Sequence, residues 1–343
     1  MSTQNDTGRS PVLYQHEYLK KQHTYLYDML SDEYRHPGHF QREQDRLDAI
    51  SWEFEDDRKG GRGANYNRAQ TDLKNRKIGM ETLLSMFGNI TASAHHQAVI
   101  LDVLSGDGTL RRFAEHYLEN PPDIISADIS ALMIESCIKQ GFPCIRQSAT
   151  KSLLADNVLD GVLIAYGTHH IPPYERAKAV SEAWRTLKPG GRLVIHDFEL
   201  GGAVDQWFRN VVHPYSETGH PHLHFTADEM LSLLSSDRFE HTEVRWIDDP
   251  FTIQRPSSQE CRDAMLRHLH EMYGLVKLPL ETPAEFGRFQ GIVTMTLGPV
   301  QTSQAESGFQ ATLHRKALVG IGTKKAKSRD LKAGDALESW LYT

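Results

Sequence analysis

Val99-Ile100-Leu101-Asp102-Val103-Leu104-Ser105-Gly106-Asp107-Gly108-Thr109 is the stretch on which the fold of this chain turns. An apolar run meets an acid and a glycine-containing turn, and a helical run from Leu110 to Leu118 follows. After Pro121-Pro122 a second apolar run, Ile124-Ile125-Ser126-Ala127-Asp128-Ile129-Ser130, again ends in an acid. Strand, turn, helix and strand in this order form one unit of a parallel sheet. Its glycines let a ligand approach the backbone, and a carboxylate at the end of the second strand can accept from ribose hydroxyls.

Downstream the alternation continues. Ser130 is placed to cap a helix over Ala131–Gln140, a short strand Pro143–Gln147 follows, and Val158–Ala165 leads into Tyr166-Gly167-Thr168-His169-His170. A helix from Tyr174 to Leu187 stops at Lys188-Pro189-Gly190-Gly191, where basic and glycine chemistry suits a C-terminus. Strand Arg192–Ile195 then delivers His196-Asp197-Phe198 to the carboxyl edge. Beyond it come a histidine-rich loop from His213 to His224, a helix Thr226–Leu234 and a strand Thr242–Ile247. A helix inserted near residues 257–273 precedes closing strands that include Gly291–Leu297 and Ala311–Gly320. The pattern predicts an α/β fold with a doubly wound, mainly parallel sheet over residues 96–323.

Upstream, residues 1–95 read as helical. Tyr14, Tyr18, Tyr25 and Tyr27 recur with Leu19, Leu26 and Leu30 at three- and four-residue steps. A break at His36-Pro37-Gly38 separates them from a helix Gln41–Phe54. Lys59-Gly60-Gly61-Arg62-Gly63 forms a turn, and a third helix runs from Tyr66 to Met86. Helices of this kind either pad a sheet face or, with tyrosines and Trp52 turned inward, cover a pocket. The expectation is an N-terminal helical lid, with residues 324–343 as a C-terminal tail.

At 343 residues, 39% hydrophobic and 24% charged, the chain has the composition of a soluble globular protein. A net charge of −7 argues against nucleic acid as a partner, because phosphate neutralisation needs a concentrated basic surface and only Lys324 to Arg329 is locally basic. Cys137, Cys144 and Cys261 lack metal-ligand spacing and fit reduced thiols. No apolar run is long enough to span a bilayer and the N-terminus is polar, so no membrane partner and a cytoplasmic location are expected. A homodimer is compatible with the sequence.

The segment from Val99 to Ile247 resembles the class I S-adenosylmethionine (SAM)-dependent methyltransferases, in their small-molecule branch. Ile100-Leu101-Asp102-Val103 with Gly106-Asp107-Gly108 is similar to the family's glycine-loop motif, and Asp128-Ile129-Ser130 to its ribose-binding motif. Ser148-Ala149 falls where the family frames adenine. Leu187-Lys188-Pro189-Gly190-Gly191-Arg192-Leu193 is similar to the turn before its fifth strand. The resemblance implies a Rossmann-like fold, SAM as cofactor, and cofactor contacts from Asp102, Leu104, Gly106, Gly108, Asp128, Ile129, Ser148, Ala149 and Tyr166. Two positions depart from the pattern: Leu104 stands where the family has glycine, and Gln147-Ser148 replace an acid at the adenine loop. A nicotinamide-dependent dehydrogenase is disfavoured by the absence of Gly-x-Gly-x-x-Gly. The exocyclic-amine DNA methyltransferases are disfavoured by the lack of an Asn/Asp-Pro-Pro-Tyr string after the fourth strand.

Methyl transfer from a sulfonium requires in-line alignment and, for O–H or N–H acceptors, removal of a proton. Candidate catalytic residues at the sheet's carboxyl edge are Tyr166, His169, His170 and His196, with Asp197 beside them. An unperturbed imidazole pKa of about 6.5 suits the proton role. His213, His220, His222 and His224 could join His196-Asp197 around a metal, yet many histidine-rich loops hold none, and no metal is expected. Two other readings stay open. In one, a closed aromatic site cyclises the aminobutyrate arm of SAM to azetidine-2-carboxylate, releasing methylthioadenosine, as azetidine-carboxylate synthases of similar sequence do. In the other, the domain binds SAM without turnover.

Overall fold

The computed structural model describes residues 15–50, 72–88, 97–235 and 237–326. Seven strands form the central sheet in the order β3-β2-β1-β4-β5-β10-β6. They are β1 (Val99–Asp102), β2 (Asp123–Asp128), β3 (Cys144–Arg146), β4 (Leu159–Ile164), β5 (Leu187–Phe198), β6 (Phe239–Asp248) and β10 (Lys316–Lys324). β1 to β5 pair in parallel, while β10 runs antiparallel between β5 and β6. Strand order therefore reverses at β1, and the crevice outside the carboxyl ends of β1 and β4 is where such sheets bind ligands.

Alternate side chains of the same strands supply two cores. Leu101, Ile125, Ile145, Val162 and Ile195 pack on one face, Ile100, Ile124, Leu163 and Val194 on the other. The second face is covered by α5 (Lys77–Ser85) through Met80, Leu83 and Leu84, and by α6 (Thr109–Tyr117) through Leu110, Phe113 and Ala114. The first is covered by α8 (Pro173–Thr186), by α11 (Ala227–Leu234) and by the N-terminal helices. Coverage on both sides explains why these strands read as continuous apolar runs. α6 starts at Gly108 in a left-handed conformation (φ 82°), and α7 (Ala131–Lys139) is capped by Ser130, whose hydroxyl accepts from the Met133 N–H as expected.

The N-terminal helices α1 (Gln15–Gln22), α2 (Thr24–Asp28), α3 (Asp32–Arg35) and α4 (Pro37–Asp48) lie against the β3 side of the sheet. Leu19, Leu26, Leu30, Tyr34 and Phe40 join the core beside Ile145 and Leu154. Polar ties reinforce this: Gln44 donates to the Arg146 carbonyl, Tyr18 donates to the Phe142 carbonyl, and Arg146 pairs with Asp48 at 2.6 Å. The leucines of the stripe are thus core, Tyr18 and Tyr27 are half-buried against it and Tyr25 is exposed, while among the described residues of this region Ile50 and Arg76 reach the crevice. Tyr14, Trp52 and the turn at 59–63 lie outside the described residues.

Several boundaries differ from the sequence reading. The break falls at His36, which ends α3 and starts α4 at Pro37, ahead of the expected Gln41: the His36 ring caps the Gly38 N–H, and proline tolerates the first helical turn. Lys188-Pro189-Gly190-Gly191 sits inside the long β5, where the pairing with β4 shifts register between Leu159 and Gly161. Gly291–Leu297 is not a strand but the end of α13 (Pro283–Leu297), which starts with a full capping box between Thr282 and Glu285. Ala311–Gly320 is split between β9 (Phe309–Leu313) and β10. Lys324 closes β10 with its ammonium buried against the Trp184 and Leu187 carbonyls, so the basic tail begins after it.

The insertion read near 257–273 is one part of a larger lobe between β5 and β10. It comprises α9 (Ala203–Trp207), a π-helical turn Phe208–Val212, α10 (His213–Tyr215), α12 (Ser258–Met272), α13 and a small antiparallel sheet β7-β9-β8. In that sheet, β7 (Phe251–Arg255) and β8 (Gln301–Gln304) flank β9. Trp207, Phe251, Met265, Leu269 and Phe289 give the lobe its own core.

Candidate active site

A cavity of about 390 Å³ opens between the carboxyl edge of the sheet and this lobe, within the range of small-molecule sites. Its lining follows the strand order. Asp128, Ile129, Ser130 and Met133 come from the end of β2 and the start of α7, Leu104 and Gly106 from the turn after β1, and Tyr166, Gly167, His169 and His170 from the turn after β4. Phe198 ends β5, and Phe208, His220, His222, Met272, Tyr273 and Arg315 close the roof.

The glycine turn and the second acid are one device. Gly106, held at φ 54°, points its N–H at Asp128 Oδ2 at 2.9 Å, while Asp128 Oδ1 accepts from the Ser130 N–H at 2.9 Å. The carboxylate therefore ties β1's turn to β2's end and keeps lone pairs at the cavity wall. Leu104 stands on that wall, and a Cβ on Gly167 would lie 3.7 Å from its Cδ1. The bulk that replaces the usual glycine thus faces a glycine across the turn after β4.

Asp102 is set behind the wall in a small adjoining cleft with Arg76, Leu104 and Tyr166. Burial, and next the charge of Asp128, push its carboxyl up to about 8. A raised folded pKa means the native state keeps a proton that the unfolded chain has released, so stability falls as pH rises from about 4 to about 8. Asp102→Asn should remove that dependence. Relative to the parent it gains stability at pH 8, by up to about 5 kcal/mol for a shift of about four units, with the gap closing toward pH 4. Urea midpoints across this pH range check it, and parallel curves for variant and parent would refute it.

Tyr166 adopts φ 58°, a conformation uncommon outside glycine and found where function holds a residue in place. Its hydroxyl donates to Asp249 Oδ1 at 3.3 Å and the Arg76 guanidinium sits 4.8 Å from its ring centre. Burial raises the phenol well above its ordinary pKa, so it is neutral and serves as a wall and donor, not a base. His196 lies beneath it, fully buried, with its ring centre 4.7 Å from that of Tyr166 and Nδ1 accepting weakly from the Tyr166 N–H at 3.5 Å. Burial lowers its pKa, and it does not line the cavity. His196 thus packs beneath Tyr166 and stands off the cavity. His169 and His170 do face the cavity, held by Thr168, whose hydroxyl donates to the carbonyls of Ile164 and His196. Gly108, Ser148 and Ala149 are not part of its lining.

Of the roof, the sequence singles out His220 and His222 but not the rest. Phe208, Met272, Tyr273 and Arg315 come from segments separated by up to a hundred residues, with no local signature. Arg315 had a signal only in hindsight, as the cation between two strands that face different sheets. It donates from Nη2 to Asp249 Oδ2 at 2.6 Å and lies 3.5 Å from the Phe251 ring centre.

Together these elements give an α/β domain with a cavity at the point where strand order reverses. The methyltransferase domain family model matches residues 101–195, a little over a quarter of the chain. Among curated relatives, the chain is 29% identical over 158 residues to the ubiquinone/menaquinone biosynthesis C-methyltransferase UbiE of Stutzerimonas stutzeri, covering 43% of this chain and 60% of that protein. It is 34% identical over 101 residues to the demethylmenaquinone methyltransferase of Renibacterium salmoninarum, covering 29% of this chain and 40% of that one. The matches thus span less than two thirds of either relative. Among solved structures, a Haemonchus contortus phosphoethanolamine N-methyltransferase 2 with bound S-adenosylhomocysteine aligns over 73% of this chain and 53% of its own, at 15% identity and a TM-score of 0.47.

The residues at the β1–β2 end fit SAM, the cofactor that the sequence resemblance implies. Asp128 offers acceptor oxygens at the cavity wall, Gly106 leaves the backbone open, and Ile129 and Met133 supply an apolar surface. Among the described residues no helix is long and apolar enough to cross a membrane.

Proposed function

We propose that the protein transfers the methyl group of SAM to a small-molecule acceptor in specialised metabolism. The observation that carries this reading is the division of one cavity into two ends. The β1–β2 end presents Asp128, Gly106 and Ile129, suited to a nucleoside, and the β4–β5 end presents histidines, aromatic rings and Arg315, suited to an acceptor. When bound, SAM supplies an electrophilic methyl on a sulfonium. The chain's part is to align and to deprotonate. Tyr166, Phe208 and Tyr273 offer ring faces to a cation, each contact worth about 0.5–2 kcal/mol depending on desolvation. His169 and His170 offer nitrogen bases at the acceptor end, where an O–H or acidic C–H loses its proton. The quinone-type relatives make phenolic and quinol compounds the first acceptors to try.

Mass spectrometry of the nucleoside product, with SAM alone and with an acceptor panel, tests this reading. Acceptor-dependent S-adenosylhomocysteine is the expected result. Methylthioadenosine from SAM alone would replace methyl transfer with cyclisation, and unchanged SAM under all conditions would leave a binding module.

A further inference from the structure

Five imidazoles meet at the acceptor end of the cavity, drawn from two distant stretches. His169 and His170 follow β4, while His220, His222 and His224 lie between α10 and α11. His169, His170 and His220 each present a ligand nitrogen, and these three atoms lie within 4.8 Å of one another. The His170 and His222 ring centres are 4.2 Å apart and those of His169 and His224 4.7 Å.

Buried carboxylates orient two of these rings. His169 Nδ1 lies 3.0 and 3.1 Å from the two oxygens of Asp197, and His224 Nδ1 lies 2.8 Å from Asp205 Oδ1. Both acids are about 1% exposed. A carboxylate on Nδ1–H fixes the tautomer and leaves Nε2 with its lone pair, which is how proteins prepare a histidine to bind metal. His224 Nε2 is buried and has no hydrogen-bond partner among the described residues. Stacking alone is a poor account of the cluster. Phe208 is already 4.3 Å from the His220 ring centre, and apolar rings would fill this roof without burying so many nitrogens.

We propose that His169, His170 and His220 bind a divalent metal ion of the zinc class, with Asp197 as the carboxylate behind His169 and with His222 and His224 flanking. Three imidazoles leave a fourth position, and His169, His170 and His220 all line the cavity, so that position opens toward the acceptor end. A tetrahedral zinc site has ligand nitrogens about 3.4 Å apart. An ion therefore draws the rings inward by little more than an ångström, and half-buried His170 has room to move. His213 and His196 fall outside the set. His213 Nδ1 accepts from the His220 N–H and so holds the ligand loop. The site rests on the histidine geometry and not on the methyl-transfer reading; with the ion bound, His169 and His170 are its ligands in place of the proton-accepting role proposed above, and the ion faces the acceptor end.

Cobalt(II) and zinc(II) alone are the probes. The tag-free protein, stripped with chelator, is titrated with cobalt(II) while visible absorption is followed, and zinc content is measured by elemental analysis after dialysis. The expected result is one equivalent per chain with a visible band of four-coordinate cobalt. H170Q and H220Q should each weaken binding at least a hundredfold while keeping the far-ultraviolet circular dichroism of the parent. Should H220Q fail to fold, the less buried His170 carries the comparison. H39Q, which removes one of the neighbouring pair His36 and His39 on α4 (ring centres 5.2 Å apart), should bind like the parent. Absent stoichiometric binding, binding unchanged in H170Q, or binding lost in H39Q each overturns the proposal.

Discussion

Asp128→Ala is expected to weaken SAM binding about 10- to 150-fold, the loss of about 1.5–3 kcal/mol that follows removal of a charged hydrogen-bond acceptor. The geometry makes the effect at least this large. Asp128 does not wait passively for ribose hydroxyls; it also accepts from the Gly106 and Ser130 N–H groups at 2.9 Å each. Alanine removes the ligand's acceptor and unties the turn that lets ligand approach the backbone. Asp128→Asn separates the two roles. One amide oxygen still accepts from one N–H, but the NH₂ faces the other donor, so the turn loosens while an acceptor is kept. Calorimetric titration with SAM should therefore rank parent, asparagine and alanine in that order, with melting curves showing the fold intact. An affinity unchanged in Asp128→Ala would refute the ribose assignment.

The parallel half of the sheet was legible because its physics is local. Buried strands write continuous apolar runs, and left-handed turns write glycine at positions such as Gly106 and Gly108. The error at Gly291–Leu297 has a local cause too. Ile292-Val293-Thr294 favour a strand by composition, but Thr282-Pro283-Ala284-Glu285 had already started a fifteen-residue helix. The leucines among the N-terminal tyrosines keep a helical period, with Leu19, Leu26 and Leu30 buried and Tyr25 exposed, yet period cannot say which surface a helix meets. Tyr34 and Phe40 meet Leu154 and its neighbours, not the cavity. The site divided likewise. The β1–β2 wall of the cavity, with Asp128 and Gly106, was readable because it is contiguous with its strands. Its acceptor end joins His169 to His220 across fifty residues and Tyr166 to Asp249 across eighty-three, pairings that topology alone creates.

Asp249→Ala should cost about 3–5 kcal/mol of folding stability, because it strands a buried cation. Asp249 has no exposed surface and Arg315 is 3% exposed. The Arg315 guanidinium donates through Nη2 to Asp249 Oδ2 at 2.6 Å and through Nε to the Asp249 carbonyl at 2.9 Å, with aromatic rings of Phe251 and Phe198 around it. The chain makes room for this pair: a Cβ on Gly79 would lie 1.8 Å from Asp249 Oδ1 and 2.8 Å from the Tyr166 hydroxyl. Arg315→Met alone leaves the carboxylate buried with, among the described residues, the Tyr166 hydroxyl and the more distant His196 Nε2, 3.7 Å away, and should cost a similar amount. The double variant Asp249→Leu, Arg315→Met removes both charges and should recover most of the loss, since desolvation of the pair offsets much of its attraction. Urea unfolding of the parent, the singles and the double gives the coupling energy directly. Single losses below about 1 kcal/mol, the range of solvent-exposed pairs, would show that water reaches this pair. If the coupling is large, cofactor binding should weaken in the singles as well. Tyr166 and Arg315 both line the cavity, and Asp249 holds the two against each other across the boundary between sheet and roof.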